Sequence, residues 1–85
     1  MKVFVEVFGP GCHKCEESAK VAAKFLADRK VQGEVVKFKD VNSMISRGIL
    51  RTPTIIIDEE RVAEGRVLRE ADLEAWLARH PEAGK

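Results

Sequence analysis

Two cysteines, Cys12 and Cys15, are the residues of this chain best able to do chemistry, and the sequence contains no others. A helical pattern begins near Cys15, so both cysteines lie on one turn where a predicted helix starts. Sulfurs placed in this way can close a small disulfide ring or hold one metal ion. The helix start offers unpaired N–H groups and the positive end of the helix dipole, which stabilise a thiolate on Cys12. Because a thiolate is a nucleophile, we expect the rest of the chain to position this turn.

The composition limits the classes of protein to consider. The 85 residues predict one domain over residues 1–80 with a frayed tail over 81–85, and an apolar fraction of 45% is enough for a globular core. The 15 basic and 14 acidic residues are interspersed, which argues against nucleic acid as a partner. No apolar run approaches the length of a membrane span, and the N-terminus reads as a strand rather than a signal peptide. We therefore expect a cytoplasmic protein, where a close cysteine pair is usually catalytic or metal-binding.

The residues around the cysteine pair predict a strand, a tight turn and a helix. The strand, Val3–Phe8, is apolar on both faces except at Glu6, so it is expected in the middle of a sheet. Residues 9–11 form the turn. The helix runs from Cys15 to about Lys30, and Cys15 belongs to its buried stripe. Cys12 precedes that stripe and is expected to be the more exposed cysteine.

The rest of the chain alternates strands and helices in the same way. A second strand reached through the helix should pair in parallel with the first, and the last two strands should form an antiparallel hairpin. Ile49 and Leu50 are expected to pack against the short helix that precedes the hairpin. The predicted elements are a strand over 34–39, a short helix over 43–47, strands over 54–57 and 61–64, and a helix over 69–79.

This order of elements resembles the thioredoxin fold, and in particular the small redox-active disulfide proteins, a minimal thioredoxin- and glutaredoxin-like family. The resemblance rests on the segment from Phe8 to Cys15, on Thr52-Pro53-Thr54 ahead of the hairpin, and on Glu64-Gly65-Arg66-Val67 after it. It covers nearly the whole chain. It implies an α/β fold of order β-α-β-α-β-β-α, with a four-stranded mixed sheet and helices on both faces.

The resemblance also implies a thiol–disulfide oxidoreductase without a cofactor or a bound metal. Cys12 would attack the substrate disulfide, and Cys15 would then close a Cys12–Cys15 disulfide. Pro53 would be the cis-proline of the fold, and Thr52 would pair through its backbone with an extended substrate next to Gly11. The partners would be protein disulfides and an unidentified reductase, and the chain would act as a monomer.

Three further side chains are candidates for tuning the cysteines. Glu6 stands six residues before Cys12, at the spacing of the buried acid of thioredoxins, and could take the proton of Cys15; it could equally be a solvated strand residue. His13 and Lys14 lie between the cysteines, and as cations they would stabilise a thiolate. That effect would make the protein less reducing than about −270 mV, the potential of thioredoxin. Lys14 could also simply point into water.

The motif departs from its relatives, and two other functions stay open. Gly11 stands where thioredoxins have Trp before the first cysteine, and the glutaredoxin Cys-Pro-Tyr-Cys is absent, so neither thioredoxin reductase nor glutathione is implied as the electron donor. One alternative is a metal-binding module similar to small metallochaperones, although two thiolates leave tetrahedral Zn²⁺ two ligands short. The other is a thioredoxin-fold interaction domain in which the cysteines are redox-inert.

Overall fold

The first strand, β1 (Val3–Phe8), lies in the interior of a four-stranded sheet of order β2-β1-β3-β4 in the computed structural model, which describes residues 2–11 and 13–84. Cys12 therefore lies outside the described residues. The fold is α/β with a mixed sheet, which confirms the predicted class and element order. The other elements are α1 (His13–Asp28), β2 (Gly33–Phe38), α2 (Val41–Ser46), β3 (Thr54–Ile57), β4 (Glu60–Glu64), α3 (Glu70–Arg79) and a 3-10 helix (Pro81–Gly84).

The strand directions bring four chain segments to one end of the sheet. β1 is parallel to β2, with Phe8 opposite Phe38, and antiparallel to β3, with Phe8 opposite Thr54. β3 and β4 form the antiparallel hairpin, with Thr54 opposite Glu64. The chain therefore leaves β1, β2 and β4 at the same end at which it enters β3.

The alternation of side chains along β1 divides the core between the two faces of the sheet. Val5 and Val7 pack with α1 and α3 in the main core, whereas Phe8 packs with Met44 of α2 on the opposite face. Val5 is completely buried, and burial of a side chain of this size contributes about 1.5–3 kcal/mol. Helices cover both faces of β1 near Phe8, which suits its mostly apolar sequence, whereas Phe4, on the α2 side, is 44% exposed.

The first helix is displaced from its predicted bounds. It begins at His13 rather than Cys15, and it ends at Asp28, ahead of the predicted Lys30. Lys30 adopts the left-handed conformation with φ 55°, and Val31 N–H donates to the Leu26 carbonyl at 2.9 Å. The hydrogen bond from Val31 thus satisfies a carbonyl at the end of the helix, which therefore does not need Gly33 as its terminating residue. Gly33 is instead the first residue of β2.

Two predictions about packing were wrong. Leu50 does not pack against α2, because its side chain is 93% exposed, while the neighbouring Ile49 is buried beside Met44. The tail is not frayed over 81–84, because these residues form the 3-10 helix and bury Ala83 in the main core. His80 holds this turn, since its ring stacks on Trp76 at 4.5 Å and Ala83 N–H donates to the His80 carbonyl.

The described residues contain no helix that combines the length and the apolar character needed to cross a membrane.

The loop between β4 and α3 is fixed by one carboxylate. Arg66 donates to both oxygens of Asp72, at 2.7 and 2.8 Å, and Arg69 N–H donates to the same side chain at 2.9 Å. Asp72 thereby caps α3, whose start has no Ser or Thr. The hydrogen bonds from Arg66, and then from the Arg69 backbone, lower the pKa of the Asp72 carboxyl. Ionised Asp72 therefore stabilises the folded chain.

We predict that Asp72→Asn lowers the free energy of unfolding at pH 7 by about 1–3 kcal/mol, the usual range for hydrogen bonds to a charged group. Because the pKa of Asp72 is lowered in the folded state, its contribution is present above about 3.9, the pKa of an unfolded Asp, and is lost as the pH falls through the folded value. Urea unfolding from pH 7 to pH 2.5 measures the effect. The exposed Asp28→Asn serves as the control, and a difference from wild type that stays constant across this range would contradict the prediction.

Candidate functional site

The candidate site lies at the end of the sheet where β1 and β2 finish and β3 begins. Gly9 follows β1, and its N–H donates to the Phe38 carbonyl at 3.0 Å. Pro53 precedes β3, and its carbonyl accepts from Gly65 N–H at 2.8 Å. Hydrogen bonds thus connect the loop that precedes the cysteines to β2, and the Pro53 loop to the end of β4.

Cys15 lies in the first turn of α1 and is almost completely buried in the main core. Gly9 packs directly on it, because a Cβ added at Gly9 would overlap the Cys15 sulfur. The same Cβ position is 3.8 Å from the Pro53 Cα. Cys15 and Pro53, which the sequence separates widely, are therefore brought close to the same side of Gly9.

The Pro53 loop places the exposed residue Thr52 beside this contact. The Thr52–Pro53 peptide bond is cis; Pro53 is buried and Thr52 is exposed. Neither the N–H nor the carbonyl of Thr52 makes a hydrogen bond to another residue in the described part of the chain. The Thr54 hydroxyl donates to the Arg51 carbonyl at 2.5 Å, which closes the loop on itself. An extended segment lying along Thr52 would meet a free donor and a free acceptor.

Gly11, His13 and Lys14 surround the position of Cys12 in the sequence. Gly11 has φ 92°, a conformation that favours glycine. His13 is exposed, and its Nε2 lies 3.1 Å from the Glu17 carboxylate one turn along α1. Lys14 is also exposed. The contacts of all three with Cys12 lie outside the described residues, so their role in tuning its thiolate stays a prediction.

Glu6 does not join the site. Its carboxylate accepts from Arg47 at 3.0 and 3.2 Å, on the α2 side of the sheet. Cys15 packs with Val5 and Val7 on the other side. Because neighbouring residues of a strand point to opposite faces, the expectation that Glu6 takes a proton from Cys15 was wrong.

Ser18 is a buried polar residue that the sequence reading missed. Its hydroxyl donates to the Lys14 carbonyl and accepts from Leu68 N–H, both at 2.9 Å, and the side chain has no exposed surface. It therefore fastens the first turn of α1 to the loop after β4. The available signal was its position three residues after Cys15, on the same buried face of the helix.

Residues 2–11 and 13–84 contain no cluster of three or more His, Cys, Asp or Glu side chains that could hold a metal ion.

Comparisons with known proteins agree with this geometry. A family model described as a thioredoxin domain matches residues 2–78. A protein named thioredoxin from Methanocaldococcus jannaschii is 32% identical over 65 residues, which are 76% of this chain and 74% of that protein. A thioredoxin from Methanothermobacter thermautotrophicus is 23% identical over 87% of this chain and 96% of its own length. A solved structure described as that of a malarial protein has the same fold, with a TM-score of 0.69 and 20% identity over 94% of this chain and 98% of its own.

We predict that Gly9→Ala displaces Cys15 and lowers the free energy of unfolding by about 1–3 kcal/mol, as overpacking of a core usually does. Gly33→Ala is the matched control, because its added Cβ would lie 2.5 Å from the Val3 carbonyl oxygen at the opposite end of β1. Thiol labelling in a Cys12→Ser background reports the accessibility of Cys15. At equal global stability, the Gly9 variant should label faster than the control, and equal labelling rates would exclude a local displacement.

We also predict that Ser18→Ala lowers the free energy of unfolding by about 1–3 kcal/mol, because it leaves the buried Leu68 N–H without its acceptor. Ser46→Ala is the control, since the Ser46 hydroxyl donates to the Ser43 carbonyl at an exposed position. That change should cost less than about 0.5 kcal/mol. Chemical denaturation measures both variants, and an equal loss for the two would mean that the Ser18 link is energetically unimportant.

Proposed function

Since this chain belongs to the thioredoxin domain family, we propose that it is a thiol–disulfide oxidoreductase that transfers two electrons between the Cys12–Cys15 pair and protein disulfides. A thioredoxin-type redox function follows from the family at a general level; the residues and the substrate class are our proposal. The observation that carries it is the contact of Gly9 with both the Cys15 sulfur and the Pro53 loop. This contact brings the start of α1 near Thr52, whose backbone N–H and carbonyl make no hydrogen bond to another described residue.

The proposed reaction has two exchange steps. The Cys12 thiolate attacks one sulfur of the substrate disulfide, whose S–S bond breaks, and the other substrate sulfur leaves with the bonding electron pair and takes up a proton. Cys15 then loses its proton and attacks the Cys12 sulfur, which releases the second substrate sulfur as a thiol. The substrate gains two electrons and two protons, and the protein retains a Cys12–Cys15 disulfide. A dithiol reductant must return it to the reduced form.

The order of attack follows from burial and from the helix start. Cys15 is 2% exposed and cannot meet a protein disulfide directly. Cys12 directly precedes His13, the first residue of α1, where N–H groups and the helix dipole stabilise a thiolate. The dipole contributes about 0.3–1 kcal/mol at an exposed terminus, whereas lowering a thiol pKa by two units requires about 2.7 kcal/mol. We assign the remainder to local N–H donors and to the side chains of His13 and Lys14, the latter as a cation.

The substrate would bind as an extended segment beside Gly11, Thr52 and Pro53. The Thr52 N–H and carbonyl offer one donor and one acceptor, so the backbone of the segment can pair with them as an added strand would. Such pairing holds the scissile disulfide without demanding a particular side chain. We propose that the chain works in this way as a cytoplasmic monomer with protein disulfides as substrates and a separate reductase.

The first test is the equilibrium between dithiol and disulfide in defined redox buffers. We expect a reversible two-electron transition between about −280 and −180 mV. The same preparation should be assayed for bound metal. Failure to form the intramolecular disulfide, or stoichiometric metal that blocks oxidation, would refute the oxidoreductase and favour the metal-binding module.

Two single-cysteine variants test the roles of the sulfurs. Cys15→Ser should accumulate a mixed disulfide with a protein substrate, because the second exchange step is removed. Cys12→Ser should form far less of it, because the buried Cys15 cannot reach the substrate. Equal trapping by both variants would contradict the assignment of Cys12 as the attacking residue.

A further inference from the structure

We propose that this site selects disulfides flanked by acidic residues, because Lys39 and Arg51 lie on the two sides of the contact between Gly9 and Pro53. The inference rests on the proposed function and names the substrate class of the same site. It comes from the order of the strands. β2 and β4 are the outer strands, so the segments that follow them flank the segments that follow β1 and precede β3.

Lys39 directly follows β2 and lies over Gly11. The position of a Cβ on Gly11 would be 3.4 Å from the Lys39 Cε and 3.5 Å from its Nζ. The Lys39 side chain is 58% exposed, and its nearest carboxylate, that of Glu16, is 3.9 Å away. Glu16 is closer to Lys37, at 3.1 Å, and the hydrogen bond from Lys37 is the main cause of the lowered pKa of Glu16. The charge of Lys39 is therefore only weakly compensated.

Arg51 supplies the cation on the other side. Its Cδ and Cβ lie 3.2 and 3.4 Å from the Cβ position of Gly65, whose N–H donates to the Pro53 carbonyl. The residue is exposed, directly precedes Thr52, and forms no ion pair within the described residues. Lys14, in the first turn of α1, is likewise exposed and makes no ion pair in this part of the chain.

The acidic side chains at this end of the molecule have other partners. Asp40, which follows Lys39, accepts from the backbone N–H and the hydroxyl of Ser43, at 2.9 and 2.8 Å, and so caps α2. The remaining carboxylates each face a basic side chain, in the pairs Glu17–His13, Glu64–Arg61 and Asp72–Arg66. Asp40 keeps its own charge, because its partners are neutral groups of Ser43. The basic side chains of Lys14, Lys39 and Arg51 outnumber it around the site, in a chain whose net charge is only +1. This local excess of basic side chains attracts anionic groups to the mouth of the site.

The carboxylates of an acidic segment would be held near Lys39 and Arg51 while its backbone pairs with Thr52. Attraction of this kind raises the rate of encounter and is screened by salt. It should therefore appear mainly in kcat/KM at low ionic strength. A segment with lysines at the same positions would be repelled by the same two side chains.

The test compares two synthetic peptides that share one disulfide and differ only in having glutamates or lysines beside it. We expect the glutamate peptide to have a kcat/KM higher by on the order of tenfold at low ionic strength, and the ratio to shrink in 0.5 M salt, at which the Debye length is well below about 8 Å. In the double variant Lys39→Glu with Arg51→Glu, the ratio should fall to about one or below. A ratio near one in the wild-type protein would overturn the proposal.

A matched control separates this effect from total charge. The double variant Lys24→Glu with Lys30→Glu changes the net charge by the same amount as Lys39→Glu with Arg51→Glu. Lys24 lies on α1 and Lys30 lies just beyond the C-terminal end of this helix, away from the site. This double variant should leave the preference intact, and loss of the preference in this control would also overturn the proposal.

The neutral disulfide of 2-mercaptoethanol distinguishes failure of the acidic selectivity from failure of the proposed function. Turnover of this disulfide without a preference between the peptides refutes only the acidic selectivity, whereas no turnover of any disulfide refutes the proposed function and the selectivity together.

Discussion

The contact of Gly9 with the Cys15 sulfur is the constraint on which the site depends. No other residue type fits there, because a Cβ would overlap the sulfur. The close approach lets the first turn of α1 lie against the end of β1, with the Pro53 loop next to the same face of Gly9. The first turn of α1, which contains Cys15, can therefore lie close to the Pro53 loop without a Gly9 side chain between them. Replacing one Gly9 Hα by a methyl group would push the first turn of α1 away from the Pro53 loop.

The sheet explains why these segments meet at all. β1 is parallel to β2 and antiparallel to β3, so the loop after β1 and the loop before β3 share one end. The hydrogen bonds from Gly9 to Phe38 and from Gly65 to Pro53 then tie those loops to both outer strands. Ser18 adds a third tie, between α1 and Leu68. Because backbone groups and one buried hydroxyl form these three hydrogen bonds, the site is positioned independently of its exposed side chains.

Most of the fold could be predicted because it follows from periodic patterns and from the apolar character of β1 and β3. The prediction was weakest where a contact between distant residues overrides a local pattern. Leu50 follows Ile49 in an apolar pair, but only one of the two can face Met44 in an irregular segment. The end of the chain was expected to fray because terminal residues usually do, but the ring of His80 stacks on Trp76 and the following residues form a 3-10 helix.

The site, too, could be predicted where the signal is local in the sequence and not where it depends on contacts between distant residues. The cysteine spacing and the Thr-Pro pair are local signals, and the structure brings Cys15 and Pro53 to the same end of the sheet. The spacing of Glu6 from Cys12 is also local, but a strand assigns its residues to alternate faces, and Glu6 falls on the side of Arg47. Ser18 carries no motif, because its importance comes from Leu68, fifty positions away in the chain. A residue whose partners are distant backbone groups has no signature in a single sequence.

The charged side chains around the site are not part of the buried contacts that position it. Lys39 directly follows the outer strand β2, and Arg51, in the loop before β3, lies against Gly65 at the end of the outer strand β4. Both side chains lie over glycines rather than within the packed interior. Changing them removes no buried contact, whereas Gly9, Cys15 and Ser18 are held by the interior. Under the selectivity that we propose, substitutions at these two positions would alter the electrostatic selection of substrates while Gly9, Cys15 and Ser18 stay in place. In so small a chain, where stability has little margin, this separation is what allows specificity to change without loss of the fold.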